Sequence, residues 1–520
     1  MALAILLAGS ISTLSRGPLA ASAAALLLVL SGVAWEHRQR ISRWAVLGAA
    51  VVVTIALAVG YRQVVQVREG LAGAPAAETE RTLLDRFNTY AAAIQMVRDH
   101  PFTGVGLENF SVVYPRYRSA ESERLTPDVL PTMVHNGYLH AAATTGIPGL
   151  LAYLALVASV LIVLVRGCVA THERRERRLI LAFIAAVAGY LIQDLSGWLE
   201  ISLSALFWLV LGLGLALASP SPPPKAITPL RRRVTMAAVA GAALLAGGLA
   251  VQTAAAMRVD HLLWNLQTLS PRENWPAIEA GLSAAVSSAG RDAVYLDKAA
   301  LRYADRYAVS GMPAAYDRAA LLFDEARQRD PFHPYIQIHR LALETVALEK
   351  TVALEKKAGA AGRADSLASD LLALDPNNAA VHETVARFRL AQGRPADALQ
   401  ALSKVKMLRP VSGRYHELEG DIDRAMNNRV AAVDAYRAAG ASHKMILMLL
   451  ELGQGARAVE EAKRRLALAD SMGYTLLGYA HLAMRDSARA REAFEAALRI
   501  DPDDQGAKQG LNEVAKTLAK

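Results

Sequence analysis

Apolar and polar stretches alternate through the first half of the chain on a scale of roughly 20 residues, the length a helix needs to cross a bilayer. Apolar runs at 19–35 and 44–61 are followed by others at 147–165, 179–195, 203–218 and 234–251. Residues 2–13 are apolar but too short to cross and lack a basic flank, so they read as the tail of a longer helix rather than as a signal peptide. Polar segments separate the runs: EHRQRISR, RGCVATHERRERR, SGWLEIS and PSPPPKAITPLRRR. The long interval at 62–146 breaks the rhythm. Within it Leu83, Leu84, Phe87, Ala91, Ile94 and Val97 recur at helical spacing, which predicts an amphipathic helix over 80–99. Pro101 ends that helix, and the GVG after Thr103 supplies a turn.

After residue 252 the pattern becomes that of amphipathic helices in series. Tyr474, Leu477, Gly478, Ala490, Phe494, Ala497 and Pro502 fall at the spacings of the tetratricopeptide repeat, whose period is about 34 residues. Ala398, Leu402 and Pro410 mark an earlier copy, preceded by Pro376; Ala319, Phe323, Ala326 and Pro331 mark another, as do Gly420, Ala432, Tyr436 and Ala439. Small residues let paired helices approach, large ones fill the next turn, and proline ends the second helix. The expected fold class is therefore all-α: a polytopic helical membrane domain followed by an α-solenoid of about five to six helix pairs. TVALEK occurs twice in succession at 345–356 and reads as a duplication that lengthens one helix.

Charge settles an orientation. The 520 residues carry a formal charge of +9, but many arginines sit in short loops between apolar runs, which argues for membrane topology rather than nucleic-acid binding. With Arg38, Arg40 and Arg43 in the cytoplasm, the arginines of 173–178 and Arg231, Arg232 and Arg233 fall there too. One orientation satisfies all three loops. It puts the 62–146 interval, the turn at Ser196 and everything after 252 on the outer side of the membrane. The single cysteine, Cys168, can form neither an intramolecular disulfide nor a cysteine-based metal site, and reads as an inert thiol.

The polar interval holds the candidate chemistry. Arg81, Arg86 and Arg98 decorate its helix, and a guanidinium fork suits phosphate oxygens. Arg16, in STLSRGPLAA, sits near the outer face by the topology; an arginine at membrane depth usually pairs with something anionic. His135 is a possible general base. His140 follows it, but no carboxylate or cysteine accompanies the two histidines at metal-ligand spacing. Taken singly, each of these residues is also compatible with an ordinary structural role. The glycines of GVG are too few and wrongly framed for a nucleotide-binding loop.

Taken together, SRG before a span, the arginine helix running into DHPFTGVGLENF, and HNGYLHAAATTGIPGL resemble the O-antigen ligase and polymerase superfamily over roughly residues 10–215. The resemblance implies a glycosyltransferase that moves a glycan from a polyprenyl-diphosphate carrier to an acceptor hydroxyl, of lipid A core or of a protein. The reaction it implies inverts the anomeric centre and uses no metal or other cofactor. It assigns His135 as the base and Arg16 and Arg86 to the donor diphosphate, with Asn136, Tyr138 and Asp194 in support. Tyr90 departs from the tryptophan more usual in the family, and fewer spans precede SRG than the family usually carries. The expected organisation is partial membrane helices at 1–61, the motif-bearing loop at 62–146, further membrane helices at 147–251 and the solenoid at 252–520. The expected setting is a bacterial cytoplasmic membrane crossed several times, with the repeats periplasmic and available to a protein partner. A polymerase of the same superfamily and a membrane-anchored repeat scaffold are the competing readings.

Overall fold

A computed structural model describes residues 25–27, 29, 31, 76–195, 201–219, 229–267, 269, 274–288, 292–350, 354–410, 413–466 and 470–518. Arg16 lies outside the described residues, as do nearly all of the apolar runs at 19–35 and 44–61. The elements are helical, with no strand among the described residues. The chain divides into two compact units, Met1–Met257 and Arg258–Lys520.

In the first unit α1 (Ala76–Asp99) is followed by the short helices α2 (Phe110–Tyr117) and α3 (Ala120–Leu125), then by α4 (Gly137–Ala170), α5 (Arg174–Gln193), α6 (Ile201–Ala218) and the greater part of α7 (Pro229–Gln267), whose last turns belong to the second unit. The helix expected at 80–99 is present as α1, but it turns a different face inward. Thr89, Ala92, Ala93 and Met96 are buried, whereas Phe87 is 64% and Ile94 42% exposed. Small residues win the inner face because α1 packs closely on the loop helices and α4: Ala92, Ala93 and Met96 share a core with Phe110, Tyr114, Val134 and Ala143. Hydrogen bonds pin α3 to α1, from the Thr126 hydroxyl to Asp85 Oδ1 at 2.8 Å and from Ser119 to Asn88 Oδ1 at 3.1 Å. Beneath them Arg118 and Glu123 form a fully buried ion pair at 2.7 Å.

A second core joins α4, α5 and α6 through Val157, Val160, Leu164, Ile180, Val187, Phe207 and Leu211. Outward, α4 presents Leu151, Leu156, Ile162 and Val165, each more than half exposed or close to it. Gly137–Ala170 and Arg232–Leu266 are long and apolar enough to cross a membrane, and the apolar run in α6 is shorter. α4 is two helices joined at Gly146, whose φ of 74° and ψ of 176° are non-helical, so the apolar run expected from 147 starts at a real break.

The second unit is a series of helix pairs: α9 (Ala293–Ser310) with α10 (Pro313–Arg329), α11 (Pro334–Lys350) with α12 (Leu354–Leu374), α13 (Ala379–Ala391) with α14 (Pro395–Leu408), α15 (His416–Ala425) with α16 (Arg429–Ala439), α17 (Ser442–Glu451) with α18 (Gly455–Arg465) and α19 (Ser471–Ala483) with α20 (Ser487–Ile500). α8 (Trp275–Ser288) precedes them and α21 (Gln505–Leu518) follows. Every repeat position named from the sequence that carries Ala319, Phe323, Ala326, Ala398, Leu402, Ala432, Tyr436, Ala490, Phe494 or Ala497 is buried. Gly420 and Gly478 let the rings of Tyr436 and Phe494 lie against their backbones, where a Cβ would come within 2.5 and 2.4 Å. The first TVALEK copy closes α11; the second falls on 351–353, which are not described, and on the opening of α12.

Candidate functional site

Two motif segments from the polar interval interlock through their backbones. The amide of Val105 donates to the Ala143 carbonyl at 2.9 Å, that of Gly106 to Thr144 at 2.9 Å, and that of Ile147 to Pro101 at 2.8 Å. The break in α4 at Gly146 frees the groups that make these bonds, since an unbroken helix would use them internally. Both glycines at the crossing have positive φ and no room: a Cβ on Gly104 would lie 2.3 Å from the Thr144 backbone, and one on Gly146 would lie 2.6 Å from that of Phe102.

The stretch before α4 presents His135. Its backbone is left-handed, with φ 58°, a conformation that costs an L-residue about 1–3 kcal/mol unless the surroundings hold it. They do so on both sides. Asn136 caps α4, its Oδ1 accepting from the Leu139 amide at 2.9 Å, while its Nδ2 donates to the Leu195 carbonyl at 3.0 Å. The Gly137 amide donates to the Asp194 carbonyl at 2.8 Å, and the Tyr138 hydroxyl to the Leu191 carbonyl at 2.8 Å. Three successive motif residues thus satisfy carbonyls left open at the C-terminal end of α5. On the other side the Tyr90 hydroxyl donates to the His135 carbonyl at 3.2 Å.

Tyr90 stands one helical turn after Arg86, so both lie on one face of α1. The structure therefore brings Arg86 and His135 together. Burial holds the His135 imidazole below its ordinary 6.5; the Arg86 charge pushes the same way, and Asp85 opposes it. A neutral imidazole beside a guanidinium can accept a proton while the cation holds an anion. Of the other arginines on α1, Arg98 is exposed near the far end of the helix, and the side chain of Arg81 lies outside the described residues. His140 packs its ring 5.7 Å from that of Phe110 and lines a separate cavity. Sequence reasoning missed Asp85 altogether, because a carboxylate next to an arginine on a helix carries no pattern. It registered Tyr90 only as a departure from tryptophan.

Asp194 is 6% exposed and reaches the N-terminal turn of α4, where a Cβ on Gly137 would lie 2.1 Å from Oδ2. It lines a cavity of about 210 Å³ together with Glu108, His140, Tyr153, Tyr190, Ser204 and Trp208.

Residues 1–154 match the O-antigen ligase family, and residues 356–422 and 471–504 match tetratricopeptide repeat families. Among curated proteins, the Hsp70-Hsp90 organizing protein of Triticum aestivum is 30% identical over 114 residues, 21% of this chain and 18% of that one. Among solved structures, a tetratricopeptide repeat protein from Parabacteroides merdae is 14% identical with a TM-score of 0.35, covering 49% of this chain and 98% of its own. Yeast Tom70 is 10% identical with a TM-score of 0.38, covering 84% and 96% respectively. The chain carries an O-antigen ligase domain followed by tetratricopeptide repeats. The matched ligase interval contains Arg16, Arg86, His135, Asn136 and Tyr138, and Asp194 lies beyond it.

Proposed function

We propose that the chain transfers a glycan from a polyprenyl-diphosphate carrier to an acceptor hydroxyl at the outer face of a bacterial cytoplasmic membrane. A ring nitrogen of His135 takes the hydroxyl proton as the acceptor oxygen attacks the anomeric carbon. The bond from that carbon to the diphosphate oxygen breaks, and its electron pair leaves with the lipid diphosphate. Arg86, with Arg16, holds the diphosphate and offsets the charge that develops on it. Attack opposite the leaving group inverts the anomeric centre. Guanidinium groups supply the compensation a metal would otherwise give, so the proposed reaction runs without one. Asn136 and Tyr138 position the base by fixing the start of α4 on α5. In this reading the membrane is crossed several times, and the repeats stand outside it, where they recruit a protein partner or acceptor.

The observation that carries the proposal is the Tyr90 hydroxyl on the His135 carbonyl, which sets the Arg86 face of α1 against the histidine. The test is transfer of a labelled glycan from its lipid carrier in membranes containing the full chain. Arg86→Ala and His135→Ala should each abolish it, and undiminished transfer by either removes that residue from its role. Glycan appearing on lipid A core or on protein identifies a ligase; lengthening of the lipid-linked glycan itself identifies a polymerase.

A further inference from the structure

The cavity beside the start of α4 contains a carboxylate in an unusual state. Asp194 is more than nine-tenths buried, and its carboxylate, set against the first residue of α4, lines the cavity. Holding a carboxylate in so buried a place costs desolvation, which the hydroxyl groups of a ligand would offset. Around it the cavity offers aromatic surface. Tyr153 and Trp208 meet edge to face at 6.3 Å, Phe207 and Trp208 at 5.3 Å, and Trp208 is 45% exposed. Its polar atoms are of both kinds: Asp194 and Glu108 accept, whereas the hydroxyls of Tyr153 and Ser204 can donate. A cationic headgroup would use only the carboxylates and the ring faces. A hydroxylated ring with an apolar face uses all of them, since each sugar hydroxyl both donates and accepts.

We propose that this cavity is the subsite for the sugar ring of the acceptor, with the Asp194 carboxylate taking its hydroxyl hydrogens and Trp208 covering its apolar face. The inference rests on the glycan-transfer reading and deepens it. The cavity is lined by Gly137, His140 and Ala141, on the turns of α4 that follow His135 in the chain. Asp194 acts here by binding, and takes no part in bond making.

The test uses the full chain in lipid nanodiscs with photoreactive, diazirine-bearing methyl hexosides as probes. Cross-links should map to peptides within 137–145 or 204–208, and excess unlabelled methyl hexoside should suppress them. Asp194→Asn should weaken labelling by about tenfold or more, the loss expected for a hydrogen bond to a charged group. The same variant should melt no lower than the parent, because it relieves the desolvation of a buried carboxylate; a merely structural aspartate would show the reverse. Trp208→Leu should weaken labelling as well. Full labelling of Asp194→Asn, cross-links elsewhere, or suppression by tetramethylammonium but not by methyl hexoside would each overturn the assignment. His135→Ala separates the two proposals: it should lose transfer and keep its labelling. Intact transfer in that variant defeats the glycan-transfer reading, and the labelling pattern still judges the cavity.

Discussion

His135 shows how much of a site can depend on one backbone conformation. Its left-handed φ turns the chain so that the carbonyl meets Tyr90 while the next three residues dock on α5. Tyr90→Phe removes the hydroxyl and should slow glycan transfer by about 2- to 10-fold, in line with the net value of one neutral hydrogen bond, without loss of folded protein. The imidazole also sets the pH response. Because burial and Arg86 hold it below 6.5, the neutral form needed to accept a proton persists into mildly acid solution. Transfer should therefore fall as pH drops through that lowered value, not through 6.5. Asp85 raises the proton affinity, so Asp85→Asn should move the acid limb of the pH–rate profile to still lower pH. A limb that moves upward, or not at all, would show that His135 is not the group being titrated. At this scale the sequence made Arg86 and His135 legible through their motif. Tyr90 and Asp85 were not, since their contributions depend on which side chains face each other across some forty residues of chain.

Among the elements, the decisive one is the break in α4. Gly146 stops the helix, and the freed backbone groups bind the turn at 101–106, so DHPFTGVG and TTGIPG form one unit. Gly146→Ala has to place a Cβ at positive φ and within 2.6 Å of backbone. The backbone preference alone costs about 1–3 kcal/mol, and the contact with fixed atoms adds to it. Amide hydrogen exchange should speed up at Val105, Gly106 and Ile147 in this variant, while the α5–α6 packing is kept. The sequence marked both glycine-rich turns and the end of α1 at Pro101. It misjudged the inner face of α1, because the apolar positions it counted include Phe87 and Ile94, and only close packing selects Ala92, Ala93 and Met96 instead.

On the scale of the molecule, two kinds of hydrophobic pattern give two units. The solenoid is built from pairs that bury small residues against large ones, and each pair rests on its neighbours. Gly478→Val would drive a side chain into the Phe494 ring, which already lies 2.4 Å from where a Cβ would stand. Exchange should rise across α19, α20 and α21 and decline back through α17 and α18, because coupling in such arrays is between nearest neighbours. Uniform loosening of the whole solenoid would contradict that picture.

Period and composition by themselves determined the all-helical class, the repeat array with its small and aromatic positions, and the long polar interval between apolar runs, whose ligase motifs were read by resemblance. They could do so because burial on a helix repeats along the chain and is local. Tertiary structure alone decided which face of α1 is inner, which residue ties it to His135, and how Asn136, Gly137 and Tyr138 divide the end of α5 among them. It also placed a buried carboxylate in a cavity lined by aromatic rings. Those are contacts between residues far apart in sequence, set by packing and by the demand that every buried polar group find a partner, and no periodicity encodes them.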